Sequence, residues 1–173
     1  LKIPANCASV AGPRLGLARA GARSNQLAEP FVRAGMAREG DGHVYAGDFF
    51  QRQQRQDPAN AVCLDTGARD PQWVSVSHGI YLSIEAAGVH RSLGVAVSFV
   101  QSTTMDSLRP LHLRMMELGG NARFRDFLAG HGVPLDSPIG EKYATRAAQW
   151  YREDLRAAAA GAPRPAPLEP GTG

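Results

Sequence analysis

The run Cys63-Leu64-Asp65-Thr66-Gly67-Ala68-Arg69-Asp70-Pro71-Gln72-Trp73-Val74-Ser75-Val76-Ser77-His78-Gly79-Ile80-Tyr81-Leu82-Ser83-Ile84-Glu85-Ala86 decides how the chain folds. Within it, Gln72 to Val76 and Gly79 to Leu82 are short, bounded by Pro and Gly, and rich in β-branched or aromatic residues, which is the pattern of strands. A third strand is expected at Val95 to Val100, with a helix between it and the second.

Helices are expected on both sides of this sheet. Upstream, a polar helix runs from Asp48 to Asp57, where Pro58 stops it. Downstream, Leu108, Leu111, Met115 and Leu118 share one helical face that ends at Gly119-Gly120. Phe124, Phe127 and Leu128 mark the next helix, ended by Gly130. A longer one starts at Ser137 as N-cap with Pro138 in the first turn, and turns Tyr143, Ala147, Trp150, Tyr151 and Leu155 inward. The fold class expected is therefore α+β, a small three-stranded sheet surrounded by helices, with extended arms at both ends.

The arms come from composition. Nineteen glycines and twelve prolines in 173 residues make about 18% of the chain against a usual share of about 12%. Residues 1–42 hold Pro4, Pro13 and Pro30 and no apolar period, so they read as an extended arm. Before Glu29 that arm carries Lys2, Arg14, Arg19 and Arg23 and no acid, a composition shared by mitochondrial transit peptides and by basic linkers. The first residue is Leu1 rather than Met, from which a processed or incomplete N-terminus is expected. The compact domain is expected over 43–158, followed by a Pro/Gly-rich tail over 159–173.

Charge and cysteine usage exclude several classes. A net charge of +3 is far below the dense basic face of a dedicated nucleic-acid binder. The longest apolar run, Leu93 to Val100, is too short to span a bilayer, so membrane contact is expected to be peripheral at most. Two cysteines, Cys7 and Cys63, are too few and too far apart for a disulfide scaffold.

From Asn60 to about Leu155 the chain resembles the catalytic domain of Arf GTPase-activating proteins, closest to the Golgi-type subfamily. The residues that carry the likeness are Cys63, Gly67-Ala68, Pro71-Gln72-Trp73-Val74-Ser75, Gly79-Ile80, Gly88-Val89-His90-Arg91-Ser92-Leu93-Gly94-Val95 and Ser98-Phe99-Val100-Gln101-Ser102. It continues through Met105-Asp106, Gly119-Gly120-Asn121-Ala122-Arg123-Phe124-Arg125, Glu141-Lys142-Tyr143 and Arg146-Ala147-Ala148. Several separated motifs in one order make the match specific.

The resemblance implies a structural zinc on thiolates at the positions of Cys63, Thr66, Ser83 and Ala86, of which Cys63 alone is a cysteine here. Hydroxyls are poor zinc ligands and a methyl group is none, so the domain is expected to be metal-free and without cofactor, a degenerate zinc knuckle. The folding free energy forgone is on the order of 10 kcal/mol, which contact with partner subunits is expected to replace. His78 and His90 are the other residues that could join Cys63 on a metal.

The resemblance also places the family's arginine finger at Arg91, a guanidinium that neutralises charge on the transferring phosphoryl and is worth several orders of magnitude in rate. Around it, Ala86-Ala87 stands for Cys-Ser, Ala96 for His and Gln101 for Arg. The alternative for Arg91 is local pairing with a carboxylate or carbonyls at a helix end. Trp73 is expected to pack beneath the knuckle.

Two functional readings follow. The first is a non-catalytic, pseudo-enzyme subunit that contacts other proteins of a large assembly, such as a mitochondrial respiratory or ATP synthase complex. The alternative is an active GTPase-activating protein for an Arf-family GTPase, with Arg91 as its finger, at the cytosolic face of Golgi membranes.

Overall fold

The computed structural model describes residues 44–173. The expected basic arm over 1–42, with Cys7, lies outside the described residues, as does His43.

Strand β1 (Val44–Tyr45) leads into α1 (Gly47–Gln56), which buries Phe49 and Phe50. A single 3-10 turn, Pro58–Ala61, follows where Pro58 ends the α-helical hydrogen bonding, and the Asp57 side chain caps it by accepting from the Ala59 N–H. Strands β2 (Trp73–Ser75) and β3 (Ile80–Leu82) form a hairpin, then come α2 (Ile84–Ser92), β4 (Val100–Ser102) and β5 (Ser107–Leu108). The chain closes with α3 (Pro110–Leu118), α4 (Asn121–Gly130), α5 (Ile139–Ala144) and α6 (Arg146–Ala160).

The main sheet is antiparallel in the order β3-β2-β4, with Val74 opposite both Tyr81 and Gln101. A separate two-stranded ribbon pairs β1 with β5, Val44 opposite Leu108. One core fills the space between the sheet and the helices: Val74, Ile80, Leu82, Leu108, Met116, Phe124, Leu128, Tyr143, Ala147 and Leu155 are all buried. The α+β class and the small sheet ringed by helices are as expected.

Three local expectations change. The third strand lies at Val100–Ser102, because Gly94 adopts a left-handed φ of +84° and residues 95–99 turn before the chain can pair with β2. The long helix expected from Ser137 is two helices: Thr145 leaves helical geometry at ψ 154° and its hydroxyl caps α6 by accepting from the Ala148 N–H. Trp150, expected inward, is half-buried at the edge, where it stacks on Phe127 at 5.4 Å and donates to the Ala166 carbonyl at 2.6 Å.

Two close approaches fix where the hairpin sits. Gly79, at φ +66°, lies so near the end of α3 that a Cβ on it would meet the Gly119 Cα at 2.8 Å, and the Gly120 N–H donates to the Gly79 carbonyl at 2.7 Å. Beside it the buried Asn121 accepts from the Tyr81 N–H at 2.8 Å and donates to the carbonyls of Ala59 and Val62. A polar side chain thus joins β3, the 3-10 turn and α4 with its hydrogen bonds made.

Candidate functional site

The loop between the 3-10 turn and β2 holds Cys63, Asp65 and Thr66, and it folds back on itself. The Cys63 N–H donates to the Ala68 carbonyl at 2.7 Å, and the Gly67 N–H donates to the Cys63 carbonyl at 3.1 Å. Gly67 takes a left-handed φ of +71° to close that turn.

Helix α2 starts against this loop. Ser83 is its N-cap: the hydroxyl accepts from the Ala86 N–H at 3.3 Å and from the Thr66 hydroxyl at 3.1 Å. Glu85 in the first turn is exposed, and hydrogen bonds from its own backbone N–H and from Ser83 hold its carboxyl below the usual range. His90 and Arg91 occupy the last turn, where a cation complements the helix dipole.

The four positions that the family pattern gives to zinc ligands are therefore close together, but they do not fit the ion. Ala86 has no donor atom, and the hydroxyls of Thr66 and Ser83 bond to each other and to backbone N–H groups. Cys63 is buried at 1% exposure. His78 Nδ1 lies 3.1 Å from the Ser75 hydroxyl, and His90 Nε2–H donates to Asp65 at 3.0 Å. No cluster of three or more His, Cys, Asp or Glu suited to a metal exists among the described residues.

What fills this region is a buried polar network. The Asp65 carboxylate, with no side-chain exposure, accepts from His90, from Lys142 Nζ at 2.8 Å and from the Tyr143 hydroxyl at 3.1 Å. Burial alone would raise the Asp65 carboxyl, yet the hydrogen bonds and charges of His90 and Lys142 outweigh it and hold the group below the usual carboxylate range. Lys142 is 2% exposed and donates also to the Leu135 carbonyl at 2.7 Å. On the far side of the ring, His90 Nδ1 lies 2.8 Å from the Ser98 hydroxyl, which lies 2.8 Å from that of Ser75. Burial pushes the Tyr143 hydroxyl well above its ordinary value and, with the charge of His90, drives the His78 imidazole well below its own.

Arg91 points away from this interior. It is exposed, and its guanidinium sits over the half-buried ring of Trp73 on β2, 4.3 Å from the centroid. Neither the expected local carboxylate nor another ion pair holds it among the described residues. Trp73, expected as packing beneath the knuckle, is half-buried against the core and is also the surface on which this arginine rests. Val89, 43% exposed, and Val95, 77% exposed, flank it in sequence.

Residues that replace the family's types are distributed around the same end of the fold. Ala86 and Ala87 are buried, Ala96 is exposed, and Gln101 is half-buried on β4. His112 and His131 face the rings of Phe99 and Phe127.

Asp65 and Lys142 were not picked out by sequence reasoning. An aspartate in a turn and a lysine in a helix carry no mark of burial in sequence. The available signal was Lys142 within Glu141-Lys142-Tyr143.

Residues 48–160 match the family model ArfGap, described as a GTPase-activating protein for Arf. A curated relative from Macaca fascicularis, ADP-ribosylation factor GTPase-activating protein 3, is 44% identical over 114 residues, covering 65% of this chain and 22% of that protein. The ADP-ribosylation factor GTPase-activating protein GCS1 of Saccharomyces cerevisiae is 42% identical over 97 residues, covering 56% of this chain and 28% of its own length. The chain thus corresponds to about a fifth to a quarter of the length of these relatives. A solved structure from Cryptosporidium parvum, titled as a GTPase-activating protein for ADP ribosylation factor, superposes with a TM-score of 0.62 at 30% identity, covering 68% of this chain and 96% of that one.

These relatives overturn the first functional reading. A non-catalytic, pseudo-enzyme subunit was expected from the loss of the thiolates, and a mitochondrial assembly from the basic, acid-poor arm. The relatives carry the names of GTPase activators, and the helix bearing Arg91 is held by the Asp65 network within the chain itself.

Proposed function

The chain belongs to the ArfGap family, and from that we propose that residues 48–160 form a domain that accelerates GTP hydrolysis by an Arf-family GTPase, with Arg91 as the arginine finger. The observation that carries this reading is the guanidinium of Arg91, exposed at the end of α2, resting on Trp73 and unpaired with any carboxylate among the described residues. A cation held on an aromatic face can leave it for a stronger acceptor, and a phosphoryl oxygen in the transition state is one.

The chain's own residues do four things in this mechanism. Trp73 limits the directions Arg91 takes before the GTPase arrives. Exposed Val89 and Val95 offer apolar surface beside it for the docked partner. His90 and Ser98, bonded to each other at 2.8 Å, hold the two ends of the segment that carries Arg91. Arg91 then supplies positive charge to the phosphoryl oxygens as the bond to the leaving phosphate breaks.

We place this action at a cytosolic membrane surface of the Golgi type, as the family resemblance implies. No helix among the described residues is long and apolar enough to cross a membrane.

The test is single-turnover hydrolysis of GTP by an Arf-family GTPase with the protein and with Arg91→Ala. A finger is worth roughly 10³-fold or more. Acceleration by the protein that is lost in the variant supports the reading, and equal rates with both would overturn it.

A further inference from the structure

We propose that the four positions the family pattern gives to zinc take no metal in this chain, and that Asp65 and His90, which hold α2 beside them, are positioning residues for Arg91.

The argument starts from what a short helix lacks. Helix α2 spans Ile84–Ser92, and at nine residues it is too short to hold itself in water or to fix its own direction. Something outside the helix must set both ends. A metal bridging the loop at Cys63 and Thr66 to the start of α2 would do so at one point.

Here the same loop holds α2 at two points. At its start, the Thr66 hydroxyl donates to Ser83. At its end, Asp65 accepts from His90, the residue just before Arg91. These contacts come from adjacent loop residues and reach opposite ends of one helix, so they fix its axis and its rotation together. Lys142 and Tyr143 then fasten Asp65 to α5, which the loop reaches only through them.

The return path is closed as well. Ser98, seven residues beyond Arg91, bonds to His90 and to Ser75 of β2, so the segment from 91 to 97 starts and ends on one hydrogen-bonded unit. Its rotation relative to Trp73, also on β2, is thereby limited. The Asp65 carboxylate and the Lys142 ammonium offset each other's burial, and every atom of the carboxylate has a donor, the condition under which a buried ion pair holds geometry.

The kinetic part of this inference rests on the proposed function; the rest does not. The experiment uses the full chain and reads thermal midpoint, bound metal and the emission of Trp73 in a Trp150→Phe background, since the sequence holds two tryptophans. A metal chelator should leave the midpoint and emission of the protein unchanged. Asp65→Asn should lower the midpoint by about 10 °C or more, shift Trp73 emission, and slow stimulated hydrolysis at least about tenfold at saturating GTPase. Tyr143→Phe keeps the ring and removes one donor to Asp65, so it should fold, with a midpoint lower by a few degrees.

Thr66→Cys, Ser83→Cys and Ala86→Cys together complete four thiolates with Cys63. Loaded with zinc, that variant should become sensitive to the chelator where the original protein is not. Loss of stability of the original protein on chelation would overturn the proposal, and so would an Asp65→Asn protein with unchanged midpoint and emission. If hydrolysis is not stimulated even by the original protein, the proposed function fails, and the midpoint, metal and emission readings still decide this inference.

Discussion

The guanidinium of Arg91 lies over the indole of Trp73 at 4.3 Å from the ring centroid, and this contact joins the end of α2 to the central strand of the sheet. An arginine so placed keeps its charge and its five donors while losing some of its freedom to move. Trp73→Ala should therefore lower GTPase stimulation by roughly tenfold, and Trp73→Phe should retain an intermediate rate, because phenyl offers a weaker cationic platform than indole. Single-turnover hydrolysis with both variants, beside their urea midpoints, checks this: stimulation must fall by more than any shared loss of folding explains.

Lys142 is 2% exposed against a carboxylate with no exposure. Lys142→Met keeps the length of the side chain and removes the charge, leaving Asp65 buried with His90 and Tyr143 only. Breaking a buried pair from one side costs about 3 to 5 kcal/mol. Urea denaturation at neutral pH should show a loss in that range, and a loss below about 1 kcal/mol would show that the pair is not shielded as described.

His78 sits in the core against Phe124 and Tyr143, with Nε2 lacking a hydrogen-bond partner. Burial lowers its folded-state pKa well below the ordinary value of 6.5, so the unfolded chain takes up a proton more readily. Stability linked to this group is complete above about pH 6.5 and falls as pH drops below it, by up to about 1.4 kcal/mol per pH unit. Urea midpoints between pH 7.5 and 5 should follow that slope; in His78→Asn, which keeps a polar atom near Ser75, the slope over this window should shrink even though the starting stability is lower.

Gly79 allows the hairpin to touch the end of α3. Gly79→Ala would set a methyl group 2.8 Å from the Gly119 Cα at a φ of +66°, where an L residue is strained even without the clash. Because backbone, not a flexible side chain, lies in the way, a loss of at least about 2 kcal/mol is expected. Thermal melts should put this variant far below Gly88→Ala, whose added carbon meets nothing within 4 Å. Similar midpoints for the two would contradict the close approach.

Much of the architecture was legible because it depends on local pattern. Pro58 and the Gly119-Gly120 pair mark real helix ends, the strand pattern found β2 and β3, and the ordered motifs led to the family and to Arg91. The same local rules misplaced β4, since the left-handed Gly94 begins a turn that apolar residues 95–100 do not advertise. They also missed the break at Thr145, where a capping hydroxyl ends one helix and opens the next.

The sequence by itself determined that the thiolates for zinc are missing, since ligand chemistry is a property of residue type. It could not determine what that absence does to the site. Asp65 and Tyr143 are 78 positions apart, and only folding brings them within 3.1 Å. Such a pair leaves no periodicity or spacing to read, because its energy comes from joint removal from water, which exists only in the packed state. The tertiary structure thus decided that Asp65, His90, Lys142 and Tyr143 meet beside the helix bearing Arg91, and that Trp73 is the face on which the arginine rests.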